Sequence, residues 1–215
     1  MKKFNRKSKR NVLIIVGFVL LLIIIFVIYN VCTQHVSLNN SGSDKTVKEQ
    51  FESKNYNYYL VSNATLYEEK LFYELKDVLS EENMNEEEYA SVLAKIFVSN
   101  LFTLDNKNSS TDISSSQYVY TDYQSTYKEI IKDTIYAGII TNLDGKRTQD
   151  LPIVSNVEVE SISRESFSYN GNVIDSEAYH IILNIEYEKD LDYPTSYRVL
   201  LVHNNDILQV AKAGE

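Results

Sequence analysis

The sequence predicts an α+β chain: an N-terminal transmembrane helix, then about three helices packed on a curved antiparallel sheet of about four strands. Three observations carry that prediction. Val12 to Tyr29 holds no charged residue and no proline; from Ala64 to Tyr136 large apolar residues recur at steps of three and four; from Leu151 onward apolar and polar residues alternate. A long apolar run marks a membrane span, a period near 3.6 marks helices with one buried face, and a period of two marks half-buried strands.

At about 1.5 Å of rise per residue, Val12 to Tyr29 covers roughly 27 Å, and roughly 31 Å if the helix continues to Cys32, close to the hydrocarbon thickness of a bilayer. Lys2, Lys3, Arg6, Lys7, Lys9 and Arg10 precede it with no acidic residue between them. An excess of Lys and Arg marks the cytoplasmic side, so the amino terminus is expected inside and the rest of the chain outside. A cleaved signal peptide shares the basic start, but its apolar region is shorter and ends in small residues; Tyr29-Asn30-Val31-Cys32 supplies none. The same large residues argue against lipid attachment at Cys32. The expected organisation is a basic cytoplasmic tail over 1–11, a transmembrane helix over 12–32, a tether over 33–55 and an extracytoplasmic α+β domain over 56–215.

Of 21 Lys and Arg, six precede the span; the remaining 15 stand against all 30 acidic residues, a formal −15 for the exported part. That charge repels phosphates, and Arg147, Arg164 and Arg198 are dispersed, so nucleic acid is not an expected partner. With Cys32 the only cysteine, no internal disulfide is available to the exported domain. Two prolines, six glycines and 44% hydrophobic residues describe a folded protein held by its core.

The tether, with Asn39-Asn40-Ser41-Gly42-Ser43 near its middle, would span roughly 25 Å as a flexible coil. Its end around Val47 to Phe51 has a helical alternative, and Tyr56 to Val61 reads as a short extended segment. Tyr67, Leu71, Phe72, Leu75, Val78 and Leu79 fall on one face of a helix over Ala64 to Leu79, with Ser62 or Asn63 as cap. A second helix over Glu86 to Leu104 has Asn85 as N-cap and Glu86, Glu87 and Glu88 complementing the helix dipole. Asp105 to Gln117 is a polar run expected to be a loop, and loops of this length are often contact sites. It does not fit a calcium loop, because Lys107 stands at the third position and no Gly or closing Glu follows at the required spacing. A third helix capped by Asp122 is expected over Tyr123 to Tyr136, burying Tyr127, Ile130, Ile131, Thr134 and Ile135.

Val157 and Val159 alternate with Glu158 and Glu160, and Tyr179, Ile181, Leu183, Ile185 and Tyr187 alternate with more polar neighbours. Tyr197 to Val202 is apolar on both faces, as in a central strand. Asn170-Gly171 and Asn204-Asn205 suit two-residue hairpin turns, and Ile207 to Ala211 closes the sheet.

This order of basic tail, single span, tether, helices and then long strands resembles the nuclear-transport-factor-like cone fold, and most closely the exported domains of single-span scaffold subunits in conjugation and type IV secretion machines. The resemblance covers the chain by layout. It implies a cavity between sheet and helices that relatives use for ligands or catalysis, or a surface used for assembly; it transfers no functional residue.

For chemistry, His180 and His203 belong to no metal spacing, and Asp190 and Asp192 read as a solvated loop. No catalytic residue, cofactor or metal is predicted. The candidate interaction loop comprises Asp105, Asn106, Asp112, Tyr118, Tyr120 and Tyr123, a polar run followed by rings of the kind enriched at interfaces. The expected partners are the lipid bilayer and other membrane or extracytoplasmic proteins, itself included. The expected function is a non-enzymatic, membrane-anchored scaffold or assembly protein; the alternative is a small-ligand-binding module or cryptic enzyme using the cone's cavity.

Overall fold

A computed structural model describes residues 47–53 and 56–214. They belong to one compact unit spanning 43–215. The predicted span over 12–32, the basic tail and most of the tether lie outside the described residues; among the described residues no helix is long and apolar enough to cross a membrane.

The chain enters the fold as a strand. β1 (Val47–Ser53) pairs antiparallel with β2 (Tyr56–Val61), so the stretch expected to end the tether, with its helical alternative, is part of a two-stranded sheet. The physical reason is a period of two whose inward positions are not all apolar. Glu49 accepts hydrogen bonds from Tyr73 Oη (2.9 Å) and Lys76 Nζ (2.7 Å), while Phe51 packs at the rim of the core.

Tyr73 and Lys76 lie on α1 (Leu66–Ser80), whose Leu71, Phe72, Leu75, Val78 and Leu79 form the expected buried stripe. Its cap is Thr65, not Ser62 or Asn63. Thr65 Oγ1 accepts from Glu68 N (3.2 Å) and Glu68 Oε2 accepts from Thr65 N (2.8 Å), a reciprocal box satisfying two otherwise orphaned donors. α2 (Glu86–Phe102) starts where expected, with Asn85 Oδ1 accepting from Glu87 N and Glu88 N. From Val92 to Leu93 and again from Ile96 to Phe102 it is buried on every side, as a helix is when covered by both a neighbouring helix and a sheet. α3 (Gln124–Asp133) is shorter than expected and has no side-chain cap; Asp122 lies instead in a 3-10 turn over Thr121–Tyr123. Of the five residues expected to be buried there, Ile131 is buried, whereas Ile130 is 55% exposed.

The second sheet is an antiparallel meander of β3 (Val154–Tyr169), β4 (Asn172–Tyr187), β5 (Ser196–Asn204) and β6 (Ile207–Gly214), in that spatial order. Asn170 and Gly171 turn between β3 and β4 with φ of 50° and 79°, the left-handed values a tight hairpin demands. Between β5 and β6 the turn falls one residue later than expected, on Asn205 (φ 57°) and Asp206. One face of the sheet, through Tyr179, Ile181, Leu183, Val199 and Leu201, packs into the main core with α1 and α2. The expected double-sided burial of β5 is present: Leu200 and Val202 form a second cluster with Ala178 on the other face. Phe167 and Tyr120 cover that cluster. The ladder between β3 and β4 breaks register on both sides of Phe167, the irregularity that lets a long hairpin bend.

Candidate functional site

The expected interaction loop is not a free surface loop. Asp112 and Tyr118 are buried, Asn106 and Tyr120 are half-buried, and Asp105 and Tyr123 are exposed. Its polar residues are consumed internally. Lys107, 1% exposed, lies 3.9 Å from the carboxylate of Glu68 in α1 and donates to Ser114 Oγ (3.3 Å). Glu68 also accepts from Asn100 Nδ2 (3.1 Å) and Asn106 Nδ2 (2.7 Å). Burial pushes the Glu68 carboxyl above its usual range, opposed by the Lys107 charge and by the donors around it. Arg147, its side chain almost wholly covered, donates to the carbonyls of Lys107 (2.8 Å) and Asp105. The run is a buried polar strut fastening the loop to α1, and a 3-10 turn over Ser114–Tyr118 ends it.

Tyr118 joins the core against Tyr58, with ring centroids 5.3 Å apart. Gln117 beside it seals the outer edge of β2: its Oε1 accepts from Tyr59 N (2.8 Å) and its Nε2 donates to Tyr59 O (3.1 Å), an amide side chain standing in for a neighbouring strand.

The two remaining tyrosines lead elsewhere. Tyr120 N donates to Val210 O (2.9 Å), and Val119 forms a parallel bridge with Val210, so this segment briefly pairs with the outer edge of β6. It then turns into α3. Past Val210, among the described residues, nothing continues the pairing along Ala211 to Gly214. A groove of about 520 Å³ opens there. Ile130 and Ile131 of α3 and Ile135 in the turn that follows it line one part of it, Phe167 and Tyr169 of β3 another, and Ala211 to Ala213 the strand edge. Tyr120, Tyr123 and Tyr169 form a chain of ring contacts, with centroids 5.7 Å and 6.0 Å apart. Lys212 is the one charged residue lining the groove. The groove therefore offers apolar walls, an unpaired backbone edge and a cation.

A second cluster, at the other end of α2, escaped sequence reasoning. His203 on β5 has both ring nitrogens against carboxylates: Nδ1 at 2.7 Å from Asp175 Oδ2 and Nε2 at 3.1 Å from Glu86 Oε1. Asp175 also accepts from the His203 backbone N–H (2.8 Å) and from Glu177 N (2.9 Å). Tyr179 donates to Glu86 Oε2 (3.0 Å), and the Arg164 guanidinium lies 4.7 Å over the Tyr179 ring while pairing with Glu86 (3.3 Å) and Glu177 (3.7 Å). Burial and the Glu86 carboxylate push the Tyr179 phenol up to about 12. A carboxylate stands at each imidazole nitrogen, an arrangement that favours the imidazolium, in which both nitrogens donate. The cluster is a clasp between the start of α2 and the β4 and β5 strands. No signal of spacing marks it, since Glu86 and His203 are 117 positions apart. Among the described residues, no group of three His, Cys, Asp or Glu side chains is placed to hold a metal ion.

The clasp predicts a pH dependence of known sign. Burial disfavours charged His203, but the Asp175 and Glu86 carboxylates outweigh it and raise the imidazole above 6.5. Burial likewise opposes ionisation of Asp175, but the backbone N–H groups of His203 and Glu177 and the imidazole hold it below 3.8. A folded-state pKa above the unfolded one stabilises fully below the unfolded value and is lost as pH rises through the folded value. Thermal unfolding followed from about pH 6 to about pH 9 should show a falling midpoint across the range bracketing a raised histidine. His203→Gln should flatten that fall; an equally steep fall in the variant would remove the clasp as its cause.

Comparison of the chain with protein families, with curated proteins and with solved structures finds no match.

Proposed function

We propose that this chain is a membrane-anchored, non-enzymatic assembly protein whose extracytoplasmic domain works through protein contacts, in the manner of the scaffold subunits of conjugation or type IV secretion machines that its layout resembles. The observation that carries this reading is the groove between α3 and the free edge of β6, which combines exposed apolar side chains with unpaired backbone. Exposed apolar surface of this kind marks contact sites. The basic tail and apolar span at the N-terminus support anchoring with the domain outside. Against the alternative of a ligand cavity, the core between the sheet and α1 and α2 is filled, with Phe97, Phe102, Tyr179 and Leu201 each 2% exposed or less, and the open space beside α3 is a groove lined mainly by apolar side chains rather than by convergent polar groups.

Cross-linking tests the proposal. A photoreactive residue in place of Ile130, in the full chain in intact membranes, should give discrete adducts larger than the monomer. The same residue in place of Leu66, exposed on α1, should give fewer. Recovery of the monomer alone from both positions would count against an assembly role.

A further inference from the structure

We infer, resting on that reading, that the groove takes an extended peptide segment of a partner protein, which adds to β6 as a further strand, buries apolar side chains against α3 and places a carboxylate beside Lys212. Three features of the groove select this occupant.

The first is continuity with pairing already in place. Val119 and Tyr120 occupy the lane beside β6 as far as Val210, through a parallel bridge and the 2.9 Å bond from Tyr120 N to Val210 O. The lane then continues past four residues, Ala211 to Gly214, with no occupant among the described residues. At about 3.3 Å per residue that is roughly 13 Å of edge, the reach of a short strand. Chains that expose an edge usually blunt it. This one does so at β2, where Gln117 occupies the outer edge at Tyr59; at this end of β6 a bulge at Ala211 shifts the register with β5 and Lys212 stands on the edge, but no strand pairs with Ala211 to Gly214 from outside among the described residues.

The second is the chemistry of the walls. A purely apolar small molecule would cover the backbone groups of Ala211 to Ala213 without bonding them, exchanging water for nothing. An added strand satisfies them while its alternate side chains meet Ile130 and Ile135 on one side and Phe167 and Tyr169 on the other.

Charge is the third. Lys212 is exposed and has no ion pair among the described residues, and no carboxylate lines the groove. A segment carrying an acidic residue is complementary to it. A second copy of this chain is the weaker occupant, since the exported part holds 30 acidic residues against 15 basic ones and two copies repel.

The test uses the full-length chain in lipid nanodiscs and a phage-displayed library of random peptides as probe. Enriched peptides should alternate apolar residues and carry an acidic one. Their synthetic forms should lose at least about tenfold in affinity to Ile130→Glu and to Lys212→Glu, and as much when alternate peptide nitrogens are methylated, which removes edge hydrogen bonds without altering the protein. Both substitutions fall on exposed side chains, and unchanged thermal midpoints will show that the fold survives. Failure to enrich any peptide sensitive to Ile130→Glu, or binding indifferent to methylation, overturns strand addition at this groove. Adducts from intact membranes that persist in the Ile130→Glu chain, with the photoreactive residue placed elsewhere, would preserve the assembly role while this inference fails. Adducts consisting of two copies of the chain would replace the partner segment by self-association and overturn it.

Discussion

Replacing Lys107 by Met should destabilise the domain by about 3 to 5 kcal/mol, the usual cost of removing one partner from a buried ion pair. The lysine is 1% exposed and Glu68 fully buried, so no water can take over the lost charge. Every neighbour of that carboxylate is a donor: Thr65 N, Asn100 Nδ2, Asn106 Nδ2 and the Lys107 ammonium. Glu68→Gln is therefore not a quiet substitution. Its amide would turn an NH₂ toward a donor whichever way it faced, and should cost roughly 1 to 3 kcal/mol. Urea unfolding of the two variants, beside a Lys132→Met control on the exposed face of α3, measures both. The control should change stability by less than about 0.5 kcal/mol. A Lys107→Met variant within the same margin would mean that the lysine does not neutralise the buried carboxylate.

The strut also explains why the segment over 105–117 misleads in the sequence. A run of Asp, Asn, Ser and Thr has the composition of a solvated loop, and composition cannot reveal that Arg147, 40 positions away, will close over its carbonyls. Partner groups distant in sequence leave no periodic trace. The same holds for β1, where Glu49 occupies an inward position and is satisfied by Tyr73 and Lys76 of α1; a period of two with a carboxylate on its inner face does not look like a strand. What was legible was local or strictly periodic: the Asn85 cap, the Asn170-Gly171 turn, the alternation over β4 and the two apolar faces of β5. The groove lies between these cases. The apolar spacing of α3 placed Ile130 and Ile131 together on one face, but a hydrophobic stripe does not say whether the fold will cover it. Adjacent residues point about 100° apart around a helix, and here Ile131 is covered and Ile130 is not, while the two tyrosines that follow the polar run, Tyr120 and Tyr123, stand toward that uncovered face rather than with the loop that precedes them.

Phe97→Ala should likewise cost about 3 to 5 kcal/mol, and should reach the groove as well as the core. Phe97 is fully buried in the middle of α2, and its ring lies 6.0 Å from that of Tyr127 on α3. Tyr127 in turn shares a 2.8 Å hydrogen bond with Ser115 in the 3-10 turn and lines the groove. Its ring is the link by which α3, with few other anchors, is held against α2. Removing the phenyl group leaves a void that Tyr127 can enter only by giving up the Ser115 bond, so part of the cost appears as loosening of the groove wall. Hydrogen exchange should accelerate more in α3 than in β4 under conditions where the variant remains folded. Phe97→Leu, which keeps most of the volume, should spare both stability and α3 protection to within about 1.5 kcal/mol. Peptide affinity separates the two routes to a damaged groove: Ile130→Glu should abolish binding at unchanged stability, whereas Phe97→Ala should weaken it only as far as α3 loses protection. Equal acceleration of exchange in α3 and β4 would show that the loss is global and that Phe97 does not specifically seat the helix.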